Sequence, residues 1–240
     1  MRLRNVKDAP IKIAKSDLVI HKPEAYKGKY ATLFGNNHPI HLEIGMGKGQ
    51  FLLKMAASHP EINFIGVEKY DSILVRAVEK IEESKLPNVK VMKIDALQLQ
   101  DVFDHEIDVI YLNFSDPWPK TRHAKRRLTS SVFLPIYDEL FKNEATIVQK
   151  TDNIGLFASS VVSLSSYGYT ITECSLDLAN TDIPNCTTEY EDKFMAKEEK
   201  INYLKAIKKW LTRICSQHYF YDNLNLLRKL KYNINCLLST

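Results

Sequence analysis

Short runs rich in Val, Ile and Leu recur at regular intervals with helix-period segments between them, and this alternation limits the fold more than any other feature. IHLEI (40–44), INFIGVE (62–68), VKVMKI (89–94), IDVIYLNF (107–114) and ATIVQK (145–150) read as strands. Several are almost continuously apolar, the signature of strands covered on both faces. Between the second and third, Ile73, Ala77 and Ile81 follow i, i+4, i+8, and Leu74 and Val78 widen that stripe into the buried face of a helix. Such alternation predicts right-handed βαβ units and an α/β, doubly wound, mostly parallel sheet. YGYTITEC (167–174) and CTTEYEDKFMA (186–196) follow with no obvious helix between them. They are expected to complete seven strands as an antiparallel closing pair.

At 240 residues the chain can bury one sizeable core, and it shows no internal repeat or Pro/Gly-rich linker. The expected division is one domain over residues 1–207, opening with a basic arm and short helix over 1–38, followed by an extension over 208–240. Arg2, Arg4, Lys7, Lys12 and Lys15 lie in the arm. The formal net charge of +4 permits a polyanionic partner without demanding one, so its distribution matters more than its sum. No run approaches the roughly 18 apolar residues of a spanning helix, and MRLRNVKDAP lacks the apolar stretch of a signal peptide. Cys174, Cys186, Cys215 and Cys236 form no C-x-x-C pair. They read as reduced cysteines of a cytoplasmic protein, with no metal site and no membrane association expected.

The first chemistry-bearing segment is HLEIGMGKGQFL (41–52). A strand ends at Glu43, then Gly45, Gly47 and Gly49 make a tight turn into a helix expected from about Lys48. Such a turn either packs tightly with no ligand, or lets a ligand approach the backbone at a helix N-terminus. Glu68 ends the second strand, where a carboxylate can accept from both ribose hydroxyls of an adenosine. Asp95 follows the third, where an acid can accept from an adenine amine. Each is singly also readable as a solvated strand-end acid or a helix N-cap. A parallel sheet, however, brings all of them to one carboxyl edge, which describes an adenosine-shaped site. Dinucleotide sites prefer G-x-G-x-x-G, and the third glycine position here is Gln50. Glu43 also suits a cationic amino-acid group better than a pyrophosphate. S-adenosyl-L-methionine, leaving as S-adenosyl-L-homocysteine, is therefore favoured over NAD.

The second segment is NFSDPWPKTRHAKRRL (113–128). Two prolines stiffen the turn Asp116-Pro117-Trp118-Pro119 and fix its acid and aromatic beside the donor. Lys120, Arg122, Lys125, Arg126 and Arg127 follow, five cations in eight residues. Beside a cofactor site and a basic arm, Arg122, Lys125, Arg126 and Arg127 read as phosphate contacts for RNA; the alternative is a solvated loop. Trp118 either stacks on a base or packs beneath the loop.

EIGMGKG, the strand-ending Glu68, IDAL and above all SDPWPKTRHAKRR together resemble the bacterial tRNA (guanine-N7-)-methyltransferases. QKTDN (149–153), IPNCTTEYEDKF (183–194) and the opening MRLRN agree, so the likeness spans roughly Met1 to Ile207. It implies a Rossmann-like class I methyltransferase fold acting on N7 of a guanine at conventional tRNA position 46. It further implies that Glu43, Glu68, Asp95 and Asp116 line the donor pocket and that Asp116 is the catalytic acid. Lys120, Asp152, Thr188, Glu189, Tyr190 and Glu191 would contact the tRNA. Two plainer readings stand beside these: Asp152 as a helix N-cap, and TTEYE as an amphipathic edge strand. Methylation of another acceptor, or an RNA-binding module without catalysis, are the rival functions. A monomer and a homodimer are equally compatible with the sequence. The extension 208–240 does not map onto the resemblance.

Overall fold

Each of the five apolar runs forms a strand: β1 (Ile40–Ile44), β2 (Asn63–Glu68), β3 (Val89–Lys93), β4 (Ile107–Asn113) and β5 (Phe141–Thr151). The computed structural model describes residues 6–195 and 199–209. Arg2 and Arg4 of the arm, Cys215 and Cys236, and residues 210–240 of the extension lie outside the described residues. Helices alternate with the strands: α1 (Ala9–Lys15), α2 (Tyr30–Phe34), α3 (Gln50–Ser58), α4 (Asp71–Ser84), α5 (Leu99–Val102), α6 (Leu134–Asp138), α7 (Ile154–Ser166) and α8 (Glu189–Met195). Two further strands, β6 (Thr170–Ser175) and β7 (Asn202–Lys208), complete a seven-stranded sheet of order β3-β2-β1-β4-β5-β7-β6.

Neighbours from β3 to β5 pair in parallel, as the apolar runs predict. Successive side chains leave opposite faces of a strand. Phe64 and Val91 therefore join Leu52, Ala56, Leu74 and Val78 beneath α3 and α4, with Ile13 of α1. Ile65 and Met92 join the layer under Tyr30, Val102, Tyr137 and Leu164. Each fully buried Leu or Phe contributes roughly 1.5–3 kcal/mol by leaving water. The arm adds more than charge: the Ile20 amide donates to the Val91 carbonyl at 2.8 Å and the Val91 amide to the Leu18 carbonyl at 3.1 Å. It thereby covers the exposed edge of β3.

The closing pair differs from expectation. Residues 170–175 are a strand, but the described part of 186–196, residues 186–195, is not: it contains α8. β7 instead lies between β5 and β6, antiparallel to both, with Lys150 opposite Tyr203 and Cys174 opposite Leu204. The physical reason is local. The Glu191 amide donates to Thr188 Oγ1 at 3.0 Å, and the Thr188 amide to Glu191 Oε2 at 3.3 Å. This reciprocal capping box starts a helix, and the acids Glu189, Glu191 and Asp192 complement its positive end. No helix among the described residues is long and apolar enough to cross a membrane.

Candidate active site

The switch in strand order falls between β1 and β4, and the chemistry-bearing residues gather at the carboxyl edge beside it. From Ile44 the chain turns into α3 through Gly45, Gly47 and Gly49, at φ of 75°, 60° and 74°. All three lie in the left-handed region, which residues with a Cβ enter at a cost. A Cβ at Gly49 would press within 3.1 Å of Ile81 Cδ1 and 3.3 Å of Ala77, so this glycine also lets α3 approach α4. A Cβ at Gly45 or Gly47 would meet nothing within 4 Å. Those two keep the backbone bare where a ligand can reach it.

Glu43 is buried on β1. One carboxylate oxygen, Oε1, accepts from Asn113 Nδ2 at 2.9 Å, while Oε2 has no hydrogen-bond partner among the described residues. Burial pushes its pKa up to about 8, against the pull of the Asn113 hydrogen bond and the Lys150 charge. Asn113 Oδ1, Ser115 Oγ and Gln149 Oε1 are also buried without partners among the described residues, all near the carboxyl ends of β4 and β5. Buried polar atoms are normally paired, so this cluster suits a ligand that brings hydrogen-bond donors.

Glu68 is buried at the end of β2, where Oε1 accepts from the amides of Lys69 at 2.8 Å and Tyr70 at 3.0 Å. Burial raises its pKa, the Tyr70, Lys69 and Gly47 amides oppose the rise, and the charge of Asp116 adds to it. The turn after β4 therefore brings Asp116 into the field of Glu68. Asp95 caps a short 3-10 turn, Ala96–Gln98, by accepting from the Leu97 amide at 3.0 Å, and it pairs with Lys69 at 2.6 Å. The Leu97 amide and then Lys69 lower its pKa.

Asp116 is exposed, and the backbone around it is strained. Phe114 at φ 50° and Trp118 at φ 40° are bulky residues in the left-handed region, each costing about 1–3 kcal/mol. Arg127 offsets that cost. Its Nε and Nη2 donate to the carbonyls of Pro117 at 3.0 Å and Trp118 at 3.1 Å, and Nη1 donates to Ser159 Oγ at 2.7 Å. The guanidinium expected to meet phosphate is thus committed to the turn. Lys120, Arg122, Lys125 and Arg126 are exposed on the same loop. Trp118 carries Arg126 over its ring at 4.8 Å and His123 at its edge at 5.7 Å.

Over the glycine turn lies α8. Glu189 binds Lys48 at 2.8 Å and also Lys80, while Asp192 accepts from Gln50 at 2.8 Å. Burial opposes ionisation of Glu189, but the two lysines outweigh it and its pKa falls. On the other side Lys150 pairs with Glu191 at 2.7 Å, both almost fully buried. Tyr190 is exposed and its ring stacks on Phe114 at 6.0 Å. Asp152 is exposed beside β5, and the cap of α7 belongs to Asn153, whose side chain accepts from the Leu156 amide at 2.8 Å.

The geometry thus brings Glu43, Glu68, Asp116 and the glycines to one edge and sets Thr188–Glu191 above it. Asn113, Lys48, Lys80 and Lys150 were missed from sequence. Lys150 had a partial signal: it follows the apolar run ATIV at the carboxyl end of β5, where a buried lysine needs a partner. A separate cavity of about 370 Å³ opens between the arm and β3, sharing only Lys93 and Ile94 with the stretch that leads to Asp95.

Comparison with known proteins agrees with this architecture. A family described as "Putative methyltransferase" matches residues 37–204. The tRNA (guanine-N(7)-)-methyltransferase of Bacillus licheniformis is 48% identical over 215 residues, covering 88% of this chain and 100% of that protein. The enzyme of the same name from a Geobacillus species is 51% identical over 204 residues, covering 84% and 93%. In fold, the chain resembles a solved antibiotic-related methyltransferase at TM-score 0.56 and 18% identity, over 76% of this chain and 94% of that one. The fold is thus the Rossmann-like class I methyltransferase fold, and the chain belongs to the tRNA (guanine-N(7)-)-methyltransferase family.

Proposed function

We propose that this protein transfers a methyl group from S-adenosyl-L-methionine to N7 of a guanine in tRNA, at conventional position 46 of the variable loop, in the cytoplasm. The observation that carries the reading is the carboxyl edge itself, where bare glycine backbone, the unpartnered Glu43 oxygen, buried Glu68 and Asp116 stand together. Glu43 fits a cationic amino-acid group, Glu68 a ribose diol and Asp95 an adenine amine. When bound, the donor supplies an electrophilic methyl group on a sulfonium. Guanine N7 has a lone pair and no proton, so no general base is needed. The chain has to supply placement and negative potential. Asp116 can do both, since its two oxygens can accept from guanine N1–H and N2–H₂ together, a pattern adenine does not offer. The strained turn held by Arg127 fixes where that carboxylate stands. Lys120, Arg122, Lys125 and Arg126 offer phosphate contacts, which give affinity without reading sequence.

The test is a mass-spectrometric nucleoside digest of unmodified tRNA transcript after incubation with the protein and donor. The expected product is 7-methylguanosine. A methylated exocyclic amine would keep fold and donor but overturn the acceptor atom.

A further inference from the structure

Lys150 sits near the carboxyl end of β5, and its ammonium is almost fully buried. An ammonium has three protons, and three acceptors meet them: Glu191 Oε2 at 2.7 Å, the Cys186 carbonyl at 2.7 Å and Asn185 Oδ1 at 3.0 Å. Phe51 of α3 lies beneath it at 5.2 Å. Glu191 is equally committed. Its Oε2 takes Lys150 and the Thr188 amide, and its Oε1 takes Asn185 Nδ2. Neither oxygen faces solvent, because the Glu191 side chain is 1% exposed. Thr188 is buried as the cap, and Glu189 is turned toward Lys48 and Lys80. Of the segment Thr188–Glu191, Tyr190 is the one side chain classed as exposed.

We propose that Lys150 is a positioning residue: it clamps Asn185–Glu191 onto the end of β5, and Glu191 receives that clamp instead of touching the acceptor. The clamp's service to catalysis rests on the tRNA methyltransferase reading above; the clamp itself does not. One buried cation thereby ties the strand carrying the site to the helix lying over the glycine turn, and sets where Tyr190 meets incoming RNA. A buried pair of this kind is costly to break from one side, because the remaining charge stays buried and unpaired.

Two measurements on the full chain decide it. In hydrogen exchange, Lys150→Met should speed the amides of 185–192 by about tenfold or more while β1 to β4 keep their protection. Unchanged exchange in that segment would overturn the clamp. Should Lys150→Met lose protection everywhere, Glu191→Gln carries the same expectation, and Lys150→Arg, which keeps the charge, should restore most of it. In steady-state methylation of tRNA transcript, either single variant should raise KM by about tenfold with kcat within about threefold, and the double variant should be no worse than the singles. Effects that multiply in the double variant would show Glu191 contacting the acceptor independently, against the proposal. If the wild-type protein leaves tRNA unmethylated, the substrate reading fails, and the exchange result still decides the clamp.

Discussion

At Glu43 a buried carboxyl keeps one oxygen without a partner among the described residues, and burial pushes its pKa up to about 8 against an ordinary 4.5. The folded state therefore binds more protons than the unfolded chain between those two values, and stability falls as pH rises through them. Glu43→Gln removes this cost. In thermal melts without donor, the variant should gain about 2–4 kcal/mol over wild type at pH 8 and little at pH 4.5, while donor affinity drops. An equal difference at both pH values would contradict the assignment. Asp116 answers to a different experiment. Asp116→Asn should lower the single-turnover rate by about 10²–10³, as loss of a preorganised electrostatic contact does, without changing the melting temperature of a protein in which the residue is exposed. Near-wild-type turnover would remove it from the chemistry. Glu43 and Glu68 were legible as candidates because both stand at the carboxyl ends of predicted strands, and the fold brings them to one sheet edge. The roles of Arg127 and Lys150 were not, because each depends on partners that only the fold brings close: Ser159 for one, Asn185, Cys186 and Glu191 for the other.

Among the elements, β1 to β5 announce themselves through apolar runs such as FIGV of β2 and VIYL of β4, which strands covered on both faces require. β7 does not, since NYLKAIK mixes buried Leu204 and Ala206 with Lys205 and Lys208, which pair with Glu173 and Asp138. α8 misleads for the opposite reason. Its placement rests on the Thr188–Glu191 cap and on ion pairs, with no long apolar stripe for periodicity to find. The T-x-x-E spacing was the available signal. Thr188→Ala should cost about 0.5–2 kcal/mol of local stability. Faster hydrogen exchange confined to α8 and its preceding loop would register it, and unchanged protection there would show the cap to be idle. Close packing at β2 is tested by Gly66→Ala, whose Cβ would fall 2.1 Å from Met46 Sδ and 2.4 Å from Leu52 Cδ1. A loss of about 1–3 kcal/mol in denaturant melts is expected, with weaker donor binding because Met46 lies inside the glycine turn. An unaltered midpoint would mean that both side chains move aside freely.

Across the whole molecule, the net charge of +4 is too small to define a partner, and what matters is that exposed cations flank the carboxyl edge. Binding to tRNA should weaken steeply with salt. Arg126→Ala should flatten the slope of log K against log salt by about 0.7–0.9 for one lost phosphate contact, whereas Arg127→Ala should reduce turnover through the collapsed turn. In the function proposed above, the fold, the acidic edge and the basic loop serve one reaction on one atom. The most direct test of that function is fragment mass spectrometry of a tRNA transcript methylated by the protein, beside a second transcript in which guanine 46 is replaced by adenine. A single 7-methylguanosine is expected in the variable-loop fragment of the first and none in the second. Methylation persisting in the adenine transcript, or falling on another base, would contradict it.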